Sequence, residues 1–500
     1  MSEARKLQEV LPAGTPNEEP HPGERRRARR VKFYLSENVR LEIHSAKQSA
    51  HGFCADLSAE GFSALIPETT KLHFQTTDWV QAIIHSPEGS SSPLHARIQT
   101  IGTQRIGTRA FHRIGLSILR NDFDQLTHAR IIGQEVHLDE FSQPSLIIRD
   151  HFKVNSLVLG RVTSIARDGI TFIAKNRDHV LLQGIHYRIK IQLPVGKEID
   201  CEAELIQTAC DRDGGHIKGV MRLGGLGIAD RELLSQTCIL GSDSATPESL
   251  REIGMFVGSI ESSTLEMTYP SSETEYTEML ELRKSAYQGV GKFLHASAPR
   301  ELWDEFDEIS RHLLFRVRGR IVGAIRVVFC QNDLTRSEHY QWGVKIPKRV
   351  RKAGFVEVSR ASVDEAYRAT DIFAGLIRQT IRLAVENRVR YVVVSCNPGL
   401  VSTYRAIGGQ VIGKPFSAMG RDDCRLILFD IPRITLTSKG SVIAFHLTSY
   451  PLFAKLFSRN PLQYLLLLPN LLLHRMLGPV FRNIIRRTLY RRFKKRAAHD

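Results

Sequence analysis

No C-x-x-C pair occurs anywhere in this sequence. Its seven cysteines, Cys54, Cys201, Cys210, Cys238, Cys330, Cys396 and Cys424, are odd in number and irregularly spaced. That argues against a disulfide framework and against a zinc site, so no metal is expected. The N-terminal stretch MSEARKLQEVLPAGTPNEEP lacks an apolar run, so no secretory signal is read there and a reducing cytoplasm is expected. A long apolar segment is missing too. The most apolar one, residues 460–473, includes Pro461, Pro469 and Asn470 and falls short of the ~18–20 residues a spanning helix needs.

Acidic residues almost vanish at the C-terminal end. From Ile431 to Asp500 there are thirteen Lys and Arg against one acid, Asp500, so 13 − 1 = +12 of the net +16 lies in this tail. The rest of the chain is close to neutral. A concentrated basic tail points to anionic lipid or nucleic acid. Its Leu and Phe content favours lipid. Phe481, Ile485, Leu489 and Phe493 recur at i, i+4, with Arg482, Arg486, Arg487, Arg491 and Arg492 filling the rest and Pro479 suited to a first turn. The pattern predicts an amphipathic helix over 479–495, lying on an anionic membrane surface from the cytoplasmic side of the inner membrane. Nucleic acid is not expected as a partner.

What is present divides into several units. At 500 residues the chain is long enough for about three domains. Residues 1–20 read as a disordered arm. Residues 21–125 carry short β-type runs broken by Gly, Pro and Ser, as in a small barrel or sandwich. A second all-β stretch spans 145–240. Both stretches set a turn (DLSAEG, SIARDG) before a strand of similar apolar pattern (FSALI, ITFIA), which reads as an internal duplication. Residues 241–263 are Ser- and Gly-rich and read as a linker. Residues 264–435 alternate helices with apolar strands, an α/β layer. There Phe355–Val363 reads as a strand, Asp371 as the N-cap of a helix to about Asn387, and Tyr391–Ser395 as a buried parallel strand. Residues 436–500 form the tail.

The segment ERRRARRVKF, followed about thirty residues later by DLSAEG, resembles the PilZ family of cyclic di-GMP receptors. Arg26 and Arg30 match its R-x-x-x-R, and Asp56, Ser58 and Gly61 match its [D/N]-x-S-x-x-G. The resemblance implies that these five residues bind cyclic di-GMP. The chemistry is reasonable on its own terms. Arginine holds phosphate oxygens bidentately and stacks on base faces, and an ionised Asp56 accepts guanine N–H groups. Gly61 would let backbone approach the ligand. In the second copy the Asp and Ser positions become Ser164 and Ala166, and the Arg pair is reduced at best to Arg149 and Lys153. A degenerate PilZ-like domain that packs or transmits is expected there.

A second series runs through the α/β domain. Arg283 and Tyr287 sit on its first helix, Asp304 and Asp307 form D-x-x-D, Arg326 ends a hairpin strand, and Glu357, Ser359 and Arg360 form E-x-S-R. The series resembles the acyl-homoserine-lactone synthases and N-acyl amino acid synthases, branches of the GNAT acyltransferase fold. It implies an acyl thioester donor and an amine acceptor, with no bound cofactor. Glu357 is the expected base, directly or through water. Backbone N–H groups from Arg360 to Val363 are the expected oxyanion donors. Arg360 or Arg326 would hold an acceptor carboxylate, and Tyr404 would protonate the leaving thiolate. Arg283, Tyr287, Asp304, Asp307 and Ser359 would line the substrate site. The coenzyme A pyrophosphate loop, [Q/R]-x-x-G-x-[G/A], is not recognisable in EAYRATDIFAG, which favours acyl carrier protein over acyl-CoA as donor. The expected class is thus multidomain α+β: tandem PilZ-type β-barrels, then a GNAT-like α/β domain and a basic amphipathic tail. A non-catalytic effector whose GNAT-like domain binds a partner is the alternative.

Overall fold

The computed structural model describes residues 31–437, except 34–38, 46–47, 59–60, 87–88, 119–120, 123–132, 150–155, 176–180, 195, 211–214, 259–264, 290–296, 332 and 419–420. Beyond 437 it describes residues 472, 476, 477, 480, 483, 484, 487, 488, 490 and 491. Arg26, Arg30, Lys153, Phe481, Ile485, Leu489 and Phe493 lie outside the described residues.

The N-terminal half is two closed six-strand barrels. The first uses β1 (Val31–Lys32), β2 (Arg40–His44), β3 (Ser49–Leu57), β4 (Gly61–Pro67), β5 (Trp79–Ser86), β6 (Gly89–Ser90), β7 (Leu94–Ile106) and β8 (Arg109–Ile118). Six of them, in the order β3-β2-β5-β7-β8-β4, close through a β3–β4 pairing, with β1 added outside β3. The second uses β9 (Asn121–Asp122), β10 (Glu135–His137), β11 (Ser145–Arg149), β12 (Leu157–Ala166), β13 (Gly169–Lys175), β14 (His186–Gln192), β15 (Glu198–Cys210) and β16 (His216–Leu223). Its order, β12-β11-β14-β15-β16-β13, repeats the first strand for strand, with β10 in the place of β1. Alternation such as exposed–buried along β2 turns one face of each strand into the barrel core.

The irregularities repeat as well. A bulge between Cys54 and Asp56 is matched by one between Val162 and Ser164, and one between Ile98 and Thr100 by one between Leu205 and Gln207. Bulges are specific features of a sheet, so two shared ones identify a duplication more firmly than apolar pattern does. The register also corrects one expectation. Val31 lies opposite Leu57, and Val136 opposite Ile165. The residue before that valine is Arg30 in the first copy and Glu135 in the second. The expected pair Arg149 and Lys153 does not stand before that strand: Arg149 lies on β11, opposite Leu157, and Lys153 lies outside the described residues.

A second difference concerns the stretch read as a linker. α1 (Ile228–Gly241) runs into it, and α2 (Pro247–Glu252) lies inside it. The Ser and Thr residues there are caps. Thr246 Oγ1 accepts from the Ser249 N–H at 3.1 Å, and Pro247 opens the helix. Leu234, Cys238, Ile239 and Leu250 are buried.

The C-terminal domain contains β17 (Glu266–Thr268), α3 (Glu273–Gln288), α4 (Glu305–Glu308), β18 (Arg311–Val317), β19 (Arg320–Cys330), α5 (Glu338–Gln341), α6 (Lys348–Ala353) and β20 (Phe355–Val363). It continues with α7 (Ile372–Glu386), β21 (Tyr391–Cys396), α8 (Pro398–Ala406), β22 (Gln410–Ala418), β23 (Arg421–Asp430) and α9 (Ile431–Thr437). The sheet order is β17-β18-β19-β20-β21-β23-β22, with β20 and β21 parallel. α7 buries Ile372, Leu376, Ile377, Ile381 and Ala384 as one stripe. A fully buried Leu or Ile contributes roughly 1.5–3 kcal/mol, so this stripe alone anchors the helix to the sheet. No described helix is long and apolar enough to cross a membrane.

Candidate functional sites

In the first barrel β1 fixes the incoming chain beside the DLSAEG motif, with Lys32 opposite Asp56. The Asp56 carboxylate is buried and pairs with Arg113 Nη2 of β8 at 2.7 Å. Arg113 was not foreseen, because it lies 57 residues away in sequence and only strand pairing brings it near. The Ser58 hydroxyl closes the motif turn on itself. It accepts from the Gly61 N–H at 3.2 Å and donates to the Gly61 carbonyl at 3.0 Å. Gly61 is required for a different reason from the one expected. A Cβ there would meet the Leu116 carbonyl oxygen at 2.1 Å, so the glycine lets β4 lie close against β8.

The second copy keeps Gly169 but carries acid where the first carries base. Glu135 accepts from the Thr171 hydroxyl at 3.0 Å and makes a short hydrogen bond with Ser164 Oγ. A carboxylate at this position repels phosphate. Among the described residues, Glu135 thus sets the second barrel apart from the first.

In the C-terminal domain β20 and β21 pair only from Phe355–Val358 against Tyr391–Val394. Beyond Val358 the strands separate, while β20 continues to pair with β19 as far as Val363. At the point of separation β20 bulges, and Arg360 takes φ +52. The gap is a cavity of about 260 Å³. Tyr287, Ser359, Arg360, Arg368, Phe373 and Tyr404 are among its lining residues. The stretch from Arg360 to Val363 has no sheet partner on the β21 side, as expected for donors facing a ligand.

Behind the cavity lies a buried network of alternating charge. Arg283 binds Asp307 bidentately, both oxygens at 3.0 Å. Arg326 is fully buried. It donates to Ser359 Oγ at 2.9 Å, pairs with Glu338 at 2.9 Å and Asp307 at 3.3 Å, and makes a short contact with Asp304. Arg360 pairs with both Asp304 and Glu338 at 2.7 Å. Three guanidinium groups thus face three carboxylates. Burial pushes the Asp307 carboxyl up, but the Arg283 and Arg326 guanidinium groups and the Asp304 N–H together bring it down to about 2. Burial lowers the Arg360 guanidinium, and Glu338 and Asp304 more than restore it.

This geometry revises several expected roles. Arg326 has its donors engaged inside the protein, so it does not hold an acceptor carboxylate. Arg283 and Asp307 brace α3 against α4. Glu357 does not line the cavity. It is fully buried, with its oxygens accepting from Ser337 Oγ and from the Glu338 N–H at 3.1 Å, and with His339 Nδ1 lying 2.8 Å away. Burial pushes its carboxyl up, but His339 and Ser337 bring it below the ordinary range. Its role is to fix Glu338, which orients Arg360. Ser337, Glu338 and His339 were not foreseen, since nothing in SEHYQ marks them except the Ser337 N-cap.

Tyr404 and Tyr287 do reach the cavity. Tyr404 packs edge-on against Phe373 (5.9 Å) and Phe429 (6.0 Å), and burial raises its phenol well above the usual range, so it stays a proton donor. Cys396 and Cys424 also line the cavity, and burial holds the Cys396 thiol up at about 11, unsuited to nucleophilic attack.

Solved structures similar to parts of this chain differ widely in how much of it they cover. That of FeeM, an N-acyl amino acid synthase from uncultured soil microbes, aligns at 16% identity over 36% of this chain and 96% of its own, with a TM-score of 0.29. The PilZ domain with c-di-GMP of YcgR from Escherichia coli aligns at 19% identity over 19% and 79%, with a TM-score of 0.18. The Borreliella burgdorferi PlzA protein in complex with c-di-GMP aligns at 10% over 40% and 88%, with a TM-score of 0.17. At these low scores the fold assignment rests on strand order, bulges and register. No curated protein matches the chain. The family model of N-acyl amino acid synthase FeeM matches residues 278–429, under a third of the chain, and bears out the acyltransferase expected for the C-terminal domain.

Proposed function

We propose that this chain is a cyclic di-GMP-responsive N-acyltransferase that moves an acyl chain from a carrier-protein thioester to an amine such as an amino acid. The observation that carries this reading is the cavity where β20 leaves β21, inside the segment that matches the FeeM family. The amine attacks the thioester carbonyl. Backbone N–H groups after Val358 receive the developing oxyanion, and Tyr404 returns a proton to the departing thiolate. Among the described lining residues there is no carboxylate or imidazole, and we assign the transfer of the amine proton to a water. Arg368 lies in the cavity wall with its side chain partly exposed and is the better candidate for an anionic group of the substrate.

A carrier-held donor is favoured over free coenzyme A because EAYRATDIFAG, which leads into α7, does not match the glycine-rich diphosphate loop, and an acidic residue, Asp371, occupies the N-cap position.

Cyclic di-GMP is assigned to the first barrel, through Arg26, Arg30 and the Asp56 motif. The tail is assigned to an anionic membrane surface. Its described part exposes Leu472, Met476, Val480 and Ile484 at i, i+4 spacing. Lipid mass spectrometry of cells expressing wild type or Tyr404→Phe tests the chemistry. A new acylated amine that falls with the variant is expected. Its absence from wild type with cyclic di-GMP present would leave the non-catalytic effector. Calorimetry on Arg26→Ala tests the ligand, where unchanged affinity would remove the assignment.

A further inference from the structure

The SIARDG turn of the second barrel occupies the place of the ligand motif, yet its polar side chains are engaged. Asp168 Oδ1 accepts from Arg231 of α1 at 2.6 Å, and the Arg167 carbonyl accepts from the same guanidinium at 3.3 Å. The Arg167 side chain lies against Gly254, just past α2, where a Cβ would meet its Cδ at 3.2 Å. The Asp139 N–H, two residues after β10, donates to the Gly241 carbonyl at the end of α1 at 2.7 Å. The edge that could read a ligand in the first copy therefore grips the two connecting helices in the second.

Those helices lead to the cavity. Arg251 of α2 donates to the carbonyls of Arg368 at 3.1 Å and Ala369 at 3.3 Å. Arg368 lines the cavity, and Ala369 takes φ +58. A guanidinium bridging two successive carbonyls fixes a peptide unit that its own φ disfavours. Arg318, in the β18–β19 turn, reaches the other way. It donates to the Leu240 carbonyl at 2.7 Å and pairs with Asp243 at 2.8 Å and with Asp139.

We infer that the second barrel is the transmission element of this protein: its motif turn Arg167–Asp168 holds α1 and the end of α2, and Arg251 of α2 sets the 368–369 backbone at the cavity rim. This deepens the proposed function and rests on it for the meaning of the signal, but the mechanical link stands on hydrogen bonds alone. Arg251 is a positioning residue, acting through Arg368.

Hydrogen–deuterium exchange on the full chain tests the link without substrate or ligand. Arg251→Ala is expected to speed exchange across residues 364–371 about tenfold, on the order of losing a charge-assisted hydrogen bond. Asp168→Asn, which touches none of those residues, is expected to speed the same peptide by a smaller factor. Unchanged exchange in Arg251→Ala overturns the clamp. Faster exchange in Arg251→Ala but not in Asp168→Asn overturns the transmission role of the barrel. Arg251→Lys, which retains charge but cannot bridge two carbonyls in the same way, should fall between wild type and alanine and guards against a folding defect. Once a substrate is in hand, Arg251→Ala should raise KM with kcat little changed, a split that global destabilisation does not give. If cyclic di-GMP fails to bind, the proposed input falls while these exchange outcomes are unaffected.

Discussion

A methyl group on Gly61 would sit 2.1 Å from the Leu116 carbonyl oxygen, and neither strand of a closed barrel moves aside easily. Gly61→Ala should therefore destabilise the first barrel by roughly 1–3 kcal/mol, visible as a lower Tm in calorimetry. At Arg283 the concern is charge. Its removal leaves Asp307 buried beside Arg326 with one guanidinium fewer, and Arg283→Ala should cost about 3–5 kcal/mol in denaturant titration. His312 makes stability pH-dependent. Burial holds its imidazole down at about 4 against an unfolded value near 6.5. The unfolded chain then takes up a proton between those limits that the folded chain refuses. Stability is complete above pH 6.5 and declines as pH falls toward 4, by roughly 3 kcal/mol in all. Denaturant titrations at pH 7 and pH 5 check this, and His312→Asn should flatten the difference. Residue types were legible in the sequence at this scale, and their duties were not. Glu357 carries the right chemistry for a base, but strand pairing buries it behind Ser337 and His339, a fact no local pattern records.

The elements were read with uneven success, for physical reasons. β20 and α7 matched expectation because each announces itself locally: β20 as an apolar run, α7 by Asp371 and a 3.6-residue stripe. α1 and α2 were missed because ADRELLSQ followed a β stretch and TPES was taken for loop rather than for a cap. The barrels were legible as a duplication, yet the partner of Asp56 and the reversal at Glu135 required the register. That reversal yields a stoichiometry. Calorimetry should find one cyclic di-GMP site per chain. Asp56→Ala should abolish it, and Glu135→Ala should leave it intact; two sites in wild type would contradict the reading of the second barrel.

Across the whole molecule the units are joined by discrete polar contacts. The Ser92 N–H of the first barrel donates to the Gln183 carbonyl of the second at 2.9 Å, and the arginine clamps follow downstream. The tail joins the same connector, with Tyr490 edge-on to Phe256 at 5.2 Å. On anionic vesicles, Val480→Asp with Ile484→Asp should cut flotation several-fold relative to wild type, on the order of losing two buried aliphatic side chains. Neutral vesicles should bind both proteins weakly.

The acid at Glu135 has a consequence for the shape of any dose response. With one receptor pocket in each chain, as proposed, there is no second occupancy within it to reinforce the first. Passing from one-tenth to nine-tenths saturation of a chain then takes about an 81-fold rise in ligand. On the proposed reading, duplication gives each chain a dimmer in place of a toggle, tracking messenger concentration over nearly two decades.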